Sequence, residues 1–185
     1  TLCAEFSDGS VLKGETLIDI GLFEGKKINK LFLNPNIKAN PGALMAIKKA
    51  DILVFGPGSF YTSLLPNFLP QGVKEAVRKS KAKVIYVCNL LTEGYGMKDY
   101  RMDTFVKIVE SYAGRKIDKV IANSHIPRKR LNDYAWERKY PIKMPRKFTK
   151  AKVVAAKLWT DPDLARHDQE RLSHLIDRTV FELLG

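Results

Sequence analysis

The chain has 185 residues, 45% hydrophobic and 28% charged, with a formal net charge of +12 at pH 7. That length buries one core, or two small ones at most, and apolar runs of only a few residues exclude a membrane-spanning helix. No charged-then-apolar leader opens the sequence, so a soluble cytoplasmic protein is expected, and Thr1 in place of Met, followed at once by a strand pattern, leads us to expect a fragment of a longer one.

In chain order, Leu2-Cys3-Ala4-Glu5-Phe6 alternates apolar and polar, and Asp8-Gly9 before Val11-Leu12 predicts a β-hairpin at an edge. Residues 28–33 read as a strand ended by Asn34-Pro35. Asn40-Pro41 then supplies an N-cap and a first-turn proline for a helix to about Lys49, with Ala43, Leu44, Ile47 and Ala50 on its inner face. Strands at 52–55, 83–87 and 119–122 alternate with helices around 73–80 and 104–112, a repeated β-α-β organisation. The unbroken run Val84-Ile85-Tyr86-Val87 implies burial on both faces, as in a parallel sheet covered by helices. Residues 127–137 read as a helix, 140–150 as a basic connector broken by Pro141 and Pro145, and 152–158 as a last strand. Leu172, Leu175, Ile176, Thr179, Val180, Leu183 and Leu184 give 168–184 a core-facing helical stripe. A single α/β domain over residues 1–185 is expected.

The strand at 52–55 runs into Gly56-Pro57-Gly58-Ser59-Phe60-Tyr61-Thr62-Ser63. A buried strand ending in glycines and hydroxyls brings backbone N–H groups close to an anion, with Ser59, Thr62 and Ser63 as side-chain donors. It matches neither the P-loop nor the dinucleotide fingerprint, and an ordinary tight turn is its plain alternative. Asn89 and Thr92 follow the second strand and Asn123-Ser124-His125 the third. In a parallel sheet these carboxyl ends share one edge, where open α/β folds bind ligands, although Asn and Ser also cap helices. Cys3 and Cys88 have no partner at metal or redox spacing and read as buried free thiols. His167 and His174 are seven apart, but no carboxylate or Cys completes a metal set. No nucleophile elbow and no carboxylate pair appears in the three loops, so no catalytic residue and no metal ligand is assigned.

Between Arg128 and Lys152 ten Lys or Arg face only Asp133 and Glu137, with Tyr134, Trp136, Tyr140 and Phe148 interleaved. Such a stripe fits single-stranded nucleic acid, and equally a nucleotide, a phosphorylated sugar or a solvated surface.

The stretch Ala50 to Asn67, with Asp51-Ile52-Leu53-Val54-Phe55-Gly56-Pro57-Gly58-Ser59 at its heart, resembles the gluconeogenesis factor family, relatives of 2-phospho-L-lactate transferase. The likeness continues through Cys88-Asn89-Leu90-Leu91-Thr92, Ile117-Asp118-Lys119-Val120-Ile121-Ala122-Asn123-Ser124 and Arg166-His167-Asp168, and upstream through Leu2-Cys3-Ala4-Glu5, Asp8-Gly9-Ser10 and Gly14-Glu15. It implies a Rossmann-like three-layer sandwich, a mostly parallel sheet with helices on both faces and the edge hairpin. The regulator branch implies UDP-sugar binding, notably UDP-N-acetylglucosamine, with roles in carbon metabolism and the cell wall and shape. The transferase branch implies transfer of a phospholactyl group from a guanosine diphosphate carrier, with a divalent metal. The residues carried over as ligand-binding are Gly56, Pro57, Gly58, Ser59, Tyr61, Thr62, Ser63, Asn67, Asn89, Thr92, Asn123, Tyr134 and Arg166, with Tyr134 stacking on a ring and Arg166 pairing with diphosphate. The spelling of the Gly56 loop resembles the regulator branch more than the transferase branch. The family's glycine-rich first strand and aspartate-rich segment have no counterpart here, and Glu93-Gly94-Tyr95-Gly96-Met97 replaces the usual Gln-Pro-Gly-Glu-Thr. The expected partner is a nucleotide-sugar or nucleoside diphosphate; a homo-oligomer and a nucleic acid are the other partners left open.

Overall fold

The computed structural model describes residues 1–20, 26–93, 95–127, 139–145, 152–161 and 163–185. A three-stranded antiparallel sheet comes first: β1 (Leu2–Phe6), β2 (Val11–Lys13) and β3 (Ile28–Leu33), in the order β2-β1-β3. The predicted hairpin is its first two strands, turned at Asp8-Gly9, where Gly9 takes φ 81° and the Asp8 carboxylate accepts the Ser10 N–H at 3.0 Å. The hairpin pairs through β1 with β3, in a sheet of its own, and does not extend the parallel one. Short α1 (Glu15–Ile20) has no counterpart among the predicted elements, because six residues give too little periodicity to distinguish it from a strand.

The second sheet is parallel: β4 (Ile52–Phe55), β5 (Lys83–Val87), β6 (Lys119–Asn123) and β7 (Val153–Ala156), ordered β4-β5-β6-β7. Among the described residues its crossover helices are α3 (Val73–Lys79) and α4 (Met102–Ala113); α2 (Pro41–Lys49) leads into β4. The predicted cap is present at Asn40, whose side chain accepts the Gly42 N–H at 2.7 Å. The long helix α5 (Gln169–Leu184) is capped by Asp168, which accepts the Arg171 N–H at 3.0 Å.

Side chains alternate across β5 and explain its unbroken apolar run. Val84 and Tyr86 pack with Phe105, Val106 and Val109 of α4 and Val77 of α3, while Ile85 and Val87 pack with Ile121, Leu158 and Leu175 of α5. The sheet is the middle layer of three, so both of its faces must be apolar. Cys3 and Cys88 are free and buried. No described helix is long and apolar enough to cross a membrane.

Candidate functional site

The carboxyl end of β4 turns sharply. Gly56 has φ 78°, and a Cβ there would stand 2.9 Å from the Val87 carbonyl oxygen, so only glycine lets β4 end this close to β5. Pro57, Gly58 and Ser59 then form one wall of a crevice of about 330 Å³, inside the size range of small-molecule sites. At Phe60 the chain coils into a wide π-type turn over Phe60–Leu64, continued by a 3-10 turn over Leu65–Phe68. Ser59 starts that turn, its carbonyl accepting the N–H groups of both Ser63 and Leu64 at 2.8 and 2.9 Å.

The opposite wall comes from the loop after β5. Asn89 donates its side-chain N–H₂ to the Gly58 carbonyl at 2.8 Å and to Glu93 Oε1 at 3.1 Å, while its buried Oδ1 has no partner among the described residues. Glu93 Oε2 accepts the Phe60 N–H at 2.6 Å. Asp19, carried by α1, accepts the Thr62 hydroxyl at 3.0 Å. Lys139 and His167 also line the crevice. His167 Nε2 lies 3.2 Å from the Cys88 carbonyl, which fixes this nitrogen as the protonated donor.

Burial pushes the Glu93 carboxyl up to about 7, and Asp19 adds to the rise; the Phe60 N–H, the Asn89 amide and Lys139 oppose it without cancelling it. Burial also holds His167 below its ordinary value, against the Cys88 carbonyl that favours its charged form. A raised carboxyl binds its proton more tightly in the folded state. Its contribution is therefore fully present below about 4.5, the unfolded value, and is lost as pH rises through about 7. Glu93→Gln removes the charge that resists burial, and is expected to stabilise the fold at pH 8 by on the order of 2 kcal/mol and by nearly nothing at pH 4, read by denaturant unfolding at both values. An equal change at both pH values would show that the Glu93 charge is not strained.

Of the residues singled out in the sequence, Pro57, Gly58, Ser59, Asn89 and Thr92 line the crevice together. Thr92 is engaged there in a bridge, its N–H donating to the Tyr140 carbonyl at 2.8 Å and its hydroxyl accepting the Tyr140 N–H at 2.9 Å. Gly56 shapes the turn behind the wall. Tyr61 is in the core, its ring 5.3 Å from that of Phe60, with its hydroxyl pushed up by burial and by Tyr100. Ser63 is exposed, and Asn67 donates to the carbonyls of Ser63 and Leu64 at 2.6 and 3.2 Å, fastening the turn. Asn123 ties β6 to the chain after β7, its Oδ1 accepting the N–H groups of Leu158 and Trp159 at 2.9 and 3.1 Å. Arg166 is exposed between Ala165 and His167, both of which line the crevice. Tyr134, and most of the basic stripe from Arg128 to Lys152, lie outside the described residues. Asp19, Glu93, Lys139 and His167 were not singled out as ligands from the sequence. Glu93 follows the Asn89 motif directly, and His167 is the centre of Arg166-His167-Asp168; Asp19 carries no comparable signal.

Comparison with known proteins gives three findings. The profile of the family described as "2-phospho-L-lactate transferase CofD" matches residues 1–159. The gluconeogenesis factor of Bacillus subtilis is 34% identical over 182 residues, covering 95% of this chain and 56% of that protein, and the gluconeogenesis factor of Listeria innocua is 42% identical over 126 residues, 66% of this chain and 38% of that one. The crystal structure of a UPF0052-family protein from Bacillus halodurans superposes with a TM-score of 0.83 at 31% identity, covering 95% of this chain and 57% of its own. The chain spans 40–56% of the length of the curated relatives that match 95% of it.

Proposed function

Because the chain belongs to the 2-phospho-L-lactate transferase CofD family, and within it is similar to the gluconeogenesis factors, we propose that it is a nucleotide-sugar-binding regulator of carbon metabolism and cell-wall growth in the cytoplasm. The observation that carries this reading is the joining of Pro57, Gly58 and Ser59 of the Gly56 turn with Asn89 in one crevice at the carboxyl ends of β4 and β5. That is the edge at which parallel sheets bind nucleotides, and the turn's glycines permit the close backbone approach that a diphosphate requires. Asn89 Oδ1 has no partner among the described residues, so a small turn of this side chain would offer a sugar hydroxyl or an amide N–H an acceptor.

Arg166, exposed between the lining residues Ala165 and His167, is the cation this reading assigns to the diphosphate. Arg166→Ala is expected to weaken binding of UDP-N-acetylglucosamine by about 2 kcal/mol, the scale of a lost charge-assisted contact. Unchanged affinity would remove Arg166 from the site. Asp19 and Glu93 in the crevice favour a second reading, a phospholactate-transferase-like enzyme that takes a guanosine diphosphate carrier. The divalent metal implied by that branch needs more donors than these: among the described residues no three His, Cys, Asp or Glu side chains gather as a metal set. Calorimetry with UDP-N-acetylglucosamine, guanosine diphosphate plus magnesium, and a short single-stranded oligonucleotide separates the readings. The regulator reading expects the UDP-sugar to bind most tightly. Binding of the oligonucleotide alone, falling steeply with salt, would assign the protein to nucleic acid through its basic stripe.

A further inference from the structure

The crevice is already furnished with anions. Three donors that the Gly56 turn and its neighbours would offer to a phosphate are bound to protein acceptors: the Phe60 N–H to Glu93, the Thr62 hydroxyl to Asp19, and the Asn89 side-chain N–H₂ to Gly58 and Glu93. An incoming diphosphate therefore meets two carboxylates as well as the donors, and like charges at such range destabilise one another. One of the two carboxylates must change for an anion to enter.

We propose that Glu93 is the crevice's built-in anion, holding the Phe60 N–H in place of a phosphate oxygen, so that an anionic ligand binds the form in which Glu93 has taken a proton from solvent. Once protonated, Oε2 changes from acceptor to donor and turns to the ligand's anionic oxygen, and the released Phe60 N–H donates to the same oxygen. Binding then takes up a proton, and the site senses pH. This rests on the reading of the crevice as a diphosphate site.

The groups that face Glu93 support this among the described residues. Asp19 on α1 repels the ionised form, Lys139 attracts it, and the Tyr61 and Tyr86 phenols, both pushed up by burial, stay neutral. Burial sets the carboxyl to about 7, where cellular changes in pH alter its charge, whereas Asp19 keeps the Thr62 hydroxyl as a fixed partner. His167, also in the lining, is held below its ordinary value by burial, and any proton it takes up on binding persists in the Glu93→Gln protein.

The test is calorimetry of the 185-residue chain with UDP-N-acetylglucosamine, whose diphosphate is ionised throughout, at pH 6, 7 and 8 in buffers of differing ionisation enthalpy. If only the Glu93-protonated form binds, affinity at pH 8 is roughly tenfold weaker than at pH 6, and proton uptake rises with pH to about one per ligand. In Glu93→Gln, affinity at pH 8 recovers that factor and the uptake at pH 8 disappears. Uptake that is absent at pH 8, or equal in both proteins, overturns the inference, and so does binding that needs magnesium and takes up no proton; the diphosphate site survives each of these results. Binding to neither protein at any pH removes the diphosphate site as well. Carbon-13 titration of the Glu93 carboxyl in the free protein is independent of any ligand, and a midpoint near the ordinary 4.5 also overturns the inference.

Discussion

Phe60→Ala is expected to lower the unfolding free energy by about 3–5 kcal/mol, the range for deleting a buried aromatic ring. Phe60 has no solvent exposure, and its ring meets Phe105 edge-on at 4.7 Å and Tyr61 at 5.3 Å. It is the pin between the Gly56 turn and α4, so its loss empties a cavity beneath the crevice wall and frees the turn whose N–H holds Glu93. Denaturant unfolding measures the effect, and a loss under 1 kcal/mol would mean that the turn is held by its backbone alone.

Gly56→Ala carries the next largest cost, about 3 kcal/mol, because two effects coincide. The left-handed φ of 78° costs an L-residue roughly 1–2 kcal/mol by itself. The new Cβ would also lie 2.9 Å from the Val87 carbonyl. That oxygen belongs to the backbone of β5, which pairs with β4 on one side and β6 on the other, so it yields only by straining the ladder. Gly58→Ala is the internal comparison: its Cβ would meet the exposed Ser63 Cβ at 3.3 Å and its φ is not left-handed, so about 1 kcal/mol is expected. Equal losses at the two glycines would contradict this account of the turn.

The parallel sheet was legible because its strands announce themselves twice, by unbroken apolar runs and by the polar residues that end them. Val84 to Val87 had to be central, and both faces prove covered. The C-terminal helix was legible from the period of Leu172, Leu175, Ile176 and Thr179. What periodicity could not show was a helix of six residues at Glu15–Ile20, or that 60–68 would coil in place of a loop. The site was half legible for a related reason. Turn chemistry pointed to Gly58 and Ser59, but Asp19 reaches the crevice from an element far away in sequence, and such convergence leaves no local trace. Asn123, a polar residue at a strand end, holds backbone N–H groups of the neighbouring strand's continuation through its Oδ1, a tie that no local pattern announces.

The central claim, that the Gly56–Phe60 turn and Asn89 form a diphosphate-binding wall, is tested most directly by mapping amide shifts during titration with UDP-N-acetylglucosamine. The account predicts saturable shifts at the Gly58, Ser59 and Phe60 N–H groups and at the Asn89 side-chain amide, reaching saturation together. Shifts confined to Lys139–Pro145, or none at any concentration, would contradict it.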